Sequence, residues 1–234
     1  MNTMKNMNTM SALKIWMRMK CTVSSRGITK IAHTISLATS IKLLESRYKE
    51  KVMNQFEASI ILWIQENLRG PLDGLWVFIT HLGDEGYLWI AMGILFLIFK
   101  KTRPIGFTML VSLIINFIIV NLTLKGLVAR PRPFVINEAI QPLITNVSAY
   151  RSFPSGHTSG SFSAMFAFYR WVPKKFGIPA LILAGLISIS RWYVGVHYPT
   201  DVLGGLIIGY LSSVAAYYLV TYVRKKLGAR KTNG

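Results

Sequence analysis

Long apolar runs separated by clusters of cations constrain this chain more than any other feature of its sequence. One run covers residues 105–124, and further apolar segments cover 155–172, 178–192 and 202–223. A helix needs about 20 mostly apolar residues to cross a bilayer, because its backbone must satisfy its own hydrogen bonds there. With 52% hydrophobic and only 15% charged residues, the chain predicts a polytopic membrane protein and excludes an ordinary soluble domain.

The segments before residue 105 are less regular. In residues 54–68 the apolar side chains recur at the spacing of a helix with one apolar face. We expect this helix to lie in the membrane interface. Residues 72–81 and 87–99 are each shorter than a span and are separated by a glycine-rich turn, so they form one broken span or two short ones. The predicted fold is all-α: a bundle of five or six transmembrane helices with an N-terminal interfacial helix.

Residues 1–52 differ from the rest of the chain. They contain ten Lys or Arg residues and no apolar run long enough to span a bilayer. We expect a basic extension that is disordered or surface-bound and does not belong to the fold. The predicted membrane domain therefore comprises residues 53–234.

The positions of the cations predict the orientation. Basic residues cluster at 100–103, at 174–175 and at 224–231, and by the positive-inside rule these places are cytoplasmic. Alternating helices then put the connections 125–155 and 191–201 on the outer face of the cell membrane. The formal charge of +18 could suit nucleic acid, but the cations lie at the ends of apolar runs and not along one face, so we expect no nucleic-acid partner.

Three polar clusters lie on the predicted outer face. They are Lys125 with Arg132-Pro133, then Pro154-Ser155-Gly156-His157, and finally Ser190-Arg191 with His197 and Asp201. Three cations, two imidazoles and a carboxylate can hold a tetrahedral dianion, attack its phosphorus and protonate the leaving group. That chemistry requires no metal cage, and the single cysteine, Cys21, excludes a cysteine-based zinc site. We therefore expect no metal and no cofactor.

In this order and spacing, the three clusters resemble the signature motifs of the type 2 phosphatidic acid phosphatase family, the integral-membrane lipid phosphate phosphatases. The resemblance covers residues 54–226. It implies a metal-independent phosphatase that hydrolyses a lipid phosphate or diphosphate, and undecaprenyl diphosphate is the expected substrate. Phosphatidylglycerol phosphate and phosphatidic acid remain alternatives, because the motifs bind the phosphate and not the lipid tail. No obligate protein partner is expected.

The resemblance also implies a role for each site residue. His197 is the expected nucleophile that forms a phosphohistidine, Asp201 orients it, and His157 is the expected general acid. Phosphate binding is assigned to the remaining site residues: Lys125, Arg132, Ser155, Gly156 and Arg191.

The other polar residues are interpreted as structural and not as part of the site. Arg130 is interpreted as an interface cation, and His81 with Asp84 and Glu85 as capping residues at a glycine turn rather than as metal ligands. Two other functions are possible for the whole chain. A vanadate-dependent haloperoxidase has a similar anion site but belongs to a soluble class, and a non-catalytic lipid-binding or transport protein would not need both imidazoles and the carboxylate.

Overall fold

The computed structural model describes residues 52–145 and 147–232, together with the helical residues Ser36 and Ser40. The chain divides into two units, Met1–Met53 and Asn54–Gly234, and the fold described here is that of the second. The predicted basic extension over 1–52 lies almost entirely outside the described residues.

All regular elements of the described residues are helical, as the apolar runs predict. The first helix, α1, covers residues 52–68. The later helices are α2 (Asp73–His81), α3 (Tyr87–Ile98), α4 (Arg103–Phe117), α5 (Lys125–Val128), α6 (Pro133–Ile136), α7 (Gly156–Tyr169), α8 (Lys174–Tyr193) and α9 (Pro199–Thr232). A 3-10 turn (Asp84–Gly86) joins α2 to α3, and a π-helical segment (Ile118–Leu124) joins α4 to α5.

Several of these helices are suited to a membrane. Four segments in the described part of the chain are long and apolar enough to cross it: Asp73–Ile98, Arg103–Ile136, Lys174–Tyr193 and Pro199–Leu227. Helix α7 has only 14 residues, a length of about 21 Å. The all-α membrane bundle is therefore confirmed, while the count of five or six spans stays a prediction.

The region 72–99 forms one broken segment. Helices α2 and α3 meet at the 3-10 turn, where Glu85 and Gly86 both have positive φ angles, of 46° and 71°. Such φ values are left-handed and interrupt the regular helix, which suits glycine at Gly86 and is uncommon for glutamate. The turn places Asp84 and Glu85 between two apolar helices.

Helix α7 lies at the centre and packs against α4, α8 and α9. Glycines on α9 allow its closest approach: a Cβ atom on Gly205 would lie 2.8 Å from the carbonyl oxygen of Ser155, and one on Gly209 would lie 2.7 Å from that of Ser159. Small residues at such positions let membrane helices pack backbone to backbone. Gly205 and Gly209 therefore allow α9 to approach α7 closely.

Helices α7 and α9 run in the same direction. At one end the backbone N–H of Ser155 donates to the carbonyl of Asp201 over 3.0 Å. At the other end the guanidinium of Arg224 lies 5.4 Å from the ring centroid of Trp171. The basic ends of α7 and α9 are thus gathered opposite the end that carries the predicted motifs.

Helix α1 packs over the motif-bearing end of the bundle. Its buried residues Ala58 and Ile61 form a small core with Ile140 and Tyr198. Its other face is exposed and carries Phe56. The predicted one-sided helix is therefore present, and its polar residues contribute to the site described next.

Candidate active site

The three polar clusters meet at one end of the bundle. Nη1 of Arg132 donates to the carbonyl of Val196 at 2.7 Å and lies 3.2 Å from Nε2 of His197, which joins the first cluster to the third. A Cβ atom on Gly156 would lie 3.0 Å from Nζ of Lys125, so the first cluster also contacts the second. Residues up to 76 positions apart in sequence, from Lys125 to Asp201, thus form one site.

His197 lies on the short connection between α8 and α9. Gly195, with a φ of 81°, turns the chain out of α8, and Pro199 begins α9. This places Asp201 in the first turn of α9, where its Oδ2 accepts from the backbone N–H of Tyr198 at 3.0 Å and lies 3.4 Å from Nδ1 of His197. The carboxylate thus faces the ring that it is expected to orient, at a length often seen before substrate tightens a catalytic contact.

The His197 imidazole is buried, with 2% of its surface exposed. Burial, reinforced by the charge of Arg132, lowers the pKa of this ring well below its ordinary value, and the contact with Asp201 offsets only part of the effect. The ring is therefore neutral. Because Arg132 can only donate, Nε2 is the acceptor and carries the lone pair, which leaves the proton on Nδ1 facing Asp201. Neutral imidazole is the nucleophilic form, and Nε2 can attack once a phosphate oxygen replaces it as the acceptor of the Arg132 hydrogen bond.

Asp201 is held by a buried ion pair. Nη1 of Arg130 donates to its Oδ1 at 2.6 Å, and Nη2 of the same guanidinium donates to Glu57 on α1. The guanidinium also lies 4.0 Å from the ring centroid of Tyr198, and Ser152 donates to the second carboxylate oxygen of Asp201. The interpretation of Arg130 as an interface cation is wrong, because this side chain is buried between two carboxylates.

Glu57 and Arg130 are the site residues that sequence reasoning missed. They are 73 residues apart, and no local pattern indicates that they pair. The available signal was chemical: a glutamate on the buried side of a one-faced helix requires a cation, and a chain with only nine acidic residues offers few such cases.

Three other cations have no carboxylate within ion-pair distance among the described residues. Arg191, 3% exposed, donates to Thr80 over 2.5 Å, and its buried Nε has no protein partner within the described part of the chain. Lys125 donates to Asn121 at 2.7 Å, and Arg132 is held by carbonyl oxygens. Buried charge is costly unless it is compensated, so this group of cations favours an anionic ligand.

Helix α7 adds a further anion-binding element. Ser155 caps it by accepting from the backbone N–H of Thr158 at 3.4 Å, so the free N–H groups of the first turn and the positive end of the helix dipole lie beside Lys125. A Cβ on Gly156 would lie 3.0 Å from Nζ of Lys125, so glycine at this position lets the ammonium group approach the start of the helix closely. Ser155 and Gly156, which the sequence assigns to phosphate binding, thus lie at the start of a helix.

His157 follows in the first turn of α7. Its Nε2 lies 2.8 Å from Oδ1 of Asp84, and Oδ2 of Asp84 lies 2.6 Å from Nδ1 of His81. The capping interpretation of this turn is therefore incomplete, since Asp84 contacts the expected general acid. Within the described ranges no group of three or more His, Cys, Asp or Glu side chains is placed to hold a metal ion.

The site has buried cations beside a neutral imidazole, and it lies at the end of an apolar helical bundle. The chain is therefore an integral-membrane phosphatase. More narrowly, the chain belongs to the PAP2 superfamily, whose family model matches residues 102–225. The matched range contains all eight predicted site residues.

Individual relatives are consistent with this family. The chain is 36% identical over 154 residues to an undecaprenyl-diphosphatase of Sulfolobus acidocaldarius, covering 66% of this chain and 73% of the relative. It is 35% identical over 141 residues to undecaprenyl-diphosphatase BcrC of Bacillus subtilis, covering 58% and 69%. The solved structure of a transmembrane PAP2-type phosphatidylglycerolphosphate phosphatase from Bacillus subtilis aligns with a TM-score of 0.56 at 28% identity, covering 76% of this chain and 95% of that one. The expected family and the expected class of enzyme, a lipid phosphatase, are confirmed.

Proposed function

We propose that this protein hydrolyses undecaprenyl diphosphate to undecaprenyl phosphate and inorganic phosphate through a phosphohistidine intermediate. The observation that carries the proposal is the position of Arg132, whose Nη1 lies 3.2 Å from the lone-pair nitrogen of His197. A phosphate oxygen bound by this guanidinium brings phosphorus next to the nucleophile. The likeness to two undecaprenyl-diphosphatases supports the choice of lipid.

In the first step the terminal phosphoryl group is held by Lys125, Arg132 and Arg191. Nε2 of His197 attacks phosphorus, an N–P bond forms and the P–O bond to undecaprenyl phosphate breaks with its electron pair on the leaving oxygen, to which His157 gives its proton. Asp201 accepts the Nδ1 proton in a hydrogen bond and stabilises the positive ring. The cations neutralise the charge that develops on the equatorial oxygens.

The second step releases the phosphate. Water attacks the phosphohistidine, its proton passes to His157, the new P–O bond forms and the N–P bond breaks with its electron pair returned to His197. The substrate and the lipid bilayer are the only partners that this chemistry requires.

The orientation is also part of the proposal. Lys100, Lys174 and Arg224 lie at the helix ends opposite the site, and cations accumulate on the cytoplasmic side of membrane proteins. This arrangement supports a multi-pass protein of the cell membrane whose site opens at the outer face and whose C-terminus is cytoplasmic.

The test is phosphate release by the detergent-purified full chain in the presence of EDTA. Undecaprenyl diphosphate, phosphatidylglycerol phosphate and phosphatidic acid are compared, with His197→Ala as the inactive control. We expect the highest kcat/KM for the diphosphate. A higher value for phosphatidylglycerol phosphate would favour the second candidate function, to which the Bacillus subtilis structure is a guide. Loss of activity in EDTA, restored by a divalent cation, would contradict the metal-independent mechanism.

A further inference from the structure

Asp84 occupies a position that the phosphatase mechanism does not yet use. Its two carboxylate oxygens contact two different imidazoles: Oδ1 lies 2.8 Å from Nε2 of His157, and Oδ2 lies 2.6 Å from Nδ1 of His81. Both oxygens are therefore engaged, and the carboxylate cannot rotate without losing a hydrogen bond. Asp84 belongs to none of the three polar clusters and lies before the range 102–225 that the family model matches.

The turn that carries Asp84 is built around the His157 ring. A Cβ on the preceding Gly83 would lie 2.7 Å from Cδ2 of His157 and 2.8 Å from Cγ2 of Ile187, so the backbone packs directly on the imidazole. The next residue, Glu85, has a positive φ of 46°. Such a conformation is uncommon outside glycine and persists where the surrounding structure holds it in place.

The contact decides which nitrogen of His157 meets the substrate. A carboxylate accepts the Nε2 proton, so Nε2 is occupied and Nδ1 is the nitrogen left to exchange a proton with the leaving oxygen. A bound phosphate dianion raises the pKa of an imidazole beside it. Without one, burial and then the charges of Arg191 and Lys125 lower the pKa of the His157 ring to about 4 and disfavour the positive imidazolium. Asp84 is the carboxylate in contact with the ring that favours it.

We propose that Asp84 is the positioning residue of the general acid, fixing the tautomer of His157 and stabilising its protonated form. The inference rests on the proposed function, in which His157 transfers the proton. During P–O cleavage Nδ1 of the imidazolium gives its proton to the leaving oxygen, while Nε2–H stays bonded to Asp84. During hydrolysis of the phosphohistidine Nδ1 takes a proton from water, which restores the imidazolium. His81 holds the second carboxylate oxygen and so keeps Asp84 in place.

This role predicts a dependence on the leaving group. When a diphosphate is cleaved, the leaving group is a phosphate ester whose conjugate acid has a pKa of about 6, and it can depart with little protonation. When a monophosphate is cleaved, the leaving group is an alcohol, whose pKa is comparable to the value of about 15.7 for water, and it requires a proton. Asp84 should therefore matter for monophosphates and much less for diphosphates.

The experiment uses two lipids with the same tail, phosphatidic acid and diacylglycerol diphosphate, and the full-length purified protein. Asp84→Asn should lower kcat for phosphatidic acid about tenfold or more, since general acid catalysis contributes roughly 10²–10⁴-fold. It should change kcat for release of the first phosphate from the diphosphate by less than about threefold. His81→Gln should act in the same direction with a smaller effect, because Asp84 keeps its bond to His157.

Glu85→Gln is the matched control, because it removes the same charge at the neighbouring position without a contact to His157. It should leave the ratio of the two rates unchanged. An equal loss on both substrates in Asp84→Asn would indicate a structural role and overturn the inference, as would an unchanged rate on phosphatidic acid. Undecaprenyl diphosphate is assayed alongside with the wild-type protein. Inactivity on this lipid as well would contradict the proposed function itself, whereas activity on it with none on phosphatidic acid would overturn the inference alone.

Discussion

The His197 ring illustrates how one residue's surroundings set its chemistry. Nucleophilic attack needs a neutral imidazole, and burial lowers the pKa of this ring below the ordinary value of about 6.5. A lowered pKa keeps the ring neutral down to more acidic pH, so protonation of the nucleophile begins only there. We expect kcat for the diphosphate to stay constant as pH falls from 7 through about 6.5 and to decline at lower pH.

The measurement is a profile of kcat against pH for the full chain, with a diphosphate substrate so that loss of the general acid has little effect. A decline centred at the ordinary histidine value would show that the His197 ring is exposed to water in the working enzyme. An unfolding measurement at each pH serves as the control, because a pH-dependent loss of folded protein would imitate the titration.

Arg130 carries a second prediction at the scale of single residues. Its side chain is 10% exposed and pairs with Glu57 and Asp201, which are 4% and 0% exposed. Arg130→Met would leave two buried carboxylates without a cation, and breaking a buried pair in this way costs about 3–5 kcal/mol. We expect a lower Tm in detergent.

Two further variants test whether the loss of Tm in Arg130→Met comes from the buried ion pair. Arg170→Met removes a cation at the opposite end of the bundle, where the guanidinium lies 5.6 Å from the ring of Tyr210, and should change Tm far less. Combining Arg130→Met with Glu57→Gln removes one of the two stranded charges and should recover part of the loss. A Tm for Arg130→Met equal to that of the wild type would contradict the buried-pair description.

At the scale of elements, the approach of α9 to α7 positions the third cluster against the second. A Cβ on Gly205 would lie 2.8 Å from the carbonyl oxygen of Ser155, which is backbone and cannot move aside alone. Gly205→Ala should therefore separate the two helices near the site and cost about 1–3 kcal/mol, as overpacking typically does. It should also lower kcat, because Asp201 is one turn away.

Gly160→Ala is the matched control for this change. It lies on α7, and a Cβ there would meet nothing within 4 Å. Its Tm should equal or exceed that of the wild type, since alanine favours a helix over glycine by about 1 kcal/mol. Equal effects of the two substitutions would show that helix propensity, not the contact between α7 and α9, explains the loss.

The sequence predicts the elements better than their contacts. Runs of apolar residues locate α4, α8 and α9, because the membrane imposes one length and one polarity on any spanning helix. Motif spacing also brings His197 and Asp201 together, since they are four residues apart across the start of α9. Glu57 with Arg130, and Asp84 with His157, are each 73 residues apart, and only the packing of separate helices makes them neighbours. Those pairs could not be read from local patterns.

At the scale of the whole molecule, the site and the basic helix ends lie at opposite ends of the bundle, which predicts the topology. In a Cys21→Ser background, Glu138→Cys near the site should react with a membrane-impermeant maleimide in intact cells. Lys174→Cys, at the opposite end, should react only after the membrane is opened. Both positions are exposed, so access to reagent and not burial decides the result. The reverse pattern would place the site in the cytoplasm.

The buried ion pairs of Arg130 with Glu57 and Asp201 also have a consequence for biosynthesis. Arg130 donates to Glu57 on α1 and to Thr200 on α9. Glu57 also accepts from Thr200, which lies 143 residues later in the sequence. At roughly 5–20 residues per second, the ribosome needs on the order of ten seconds to supply the second group after the first. Glu57 therefore gains its last hydrogen-bond partner only when the start of α9 has been synthesised. The active site is therefore complete only after Asp201 has been synthesised, and a nascent chain that ends before Asp201 lacks part of the catalytic group.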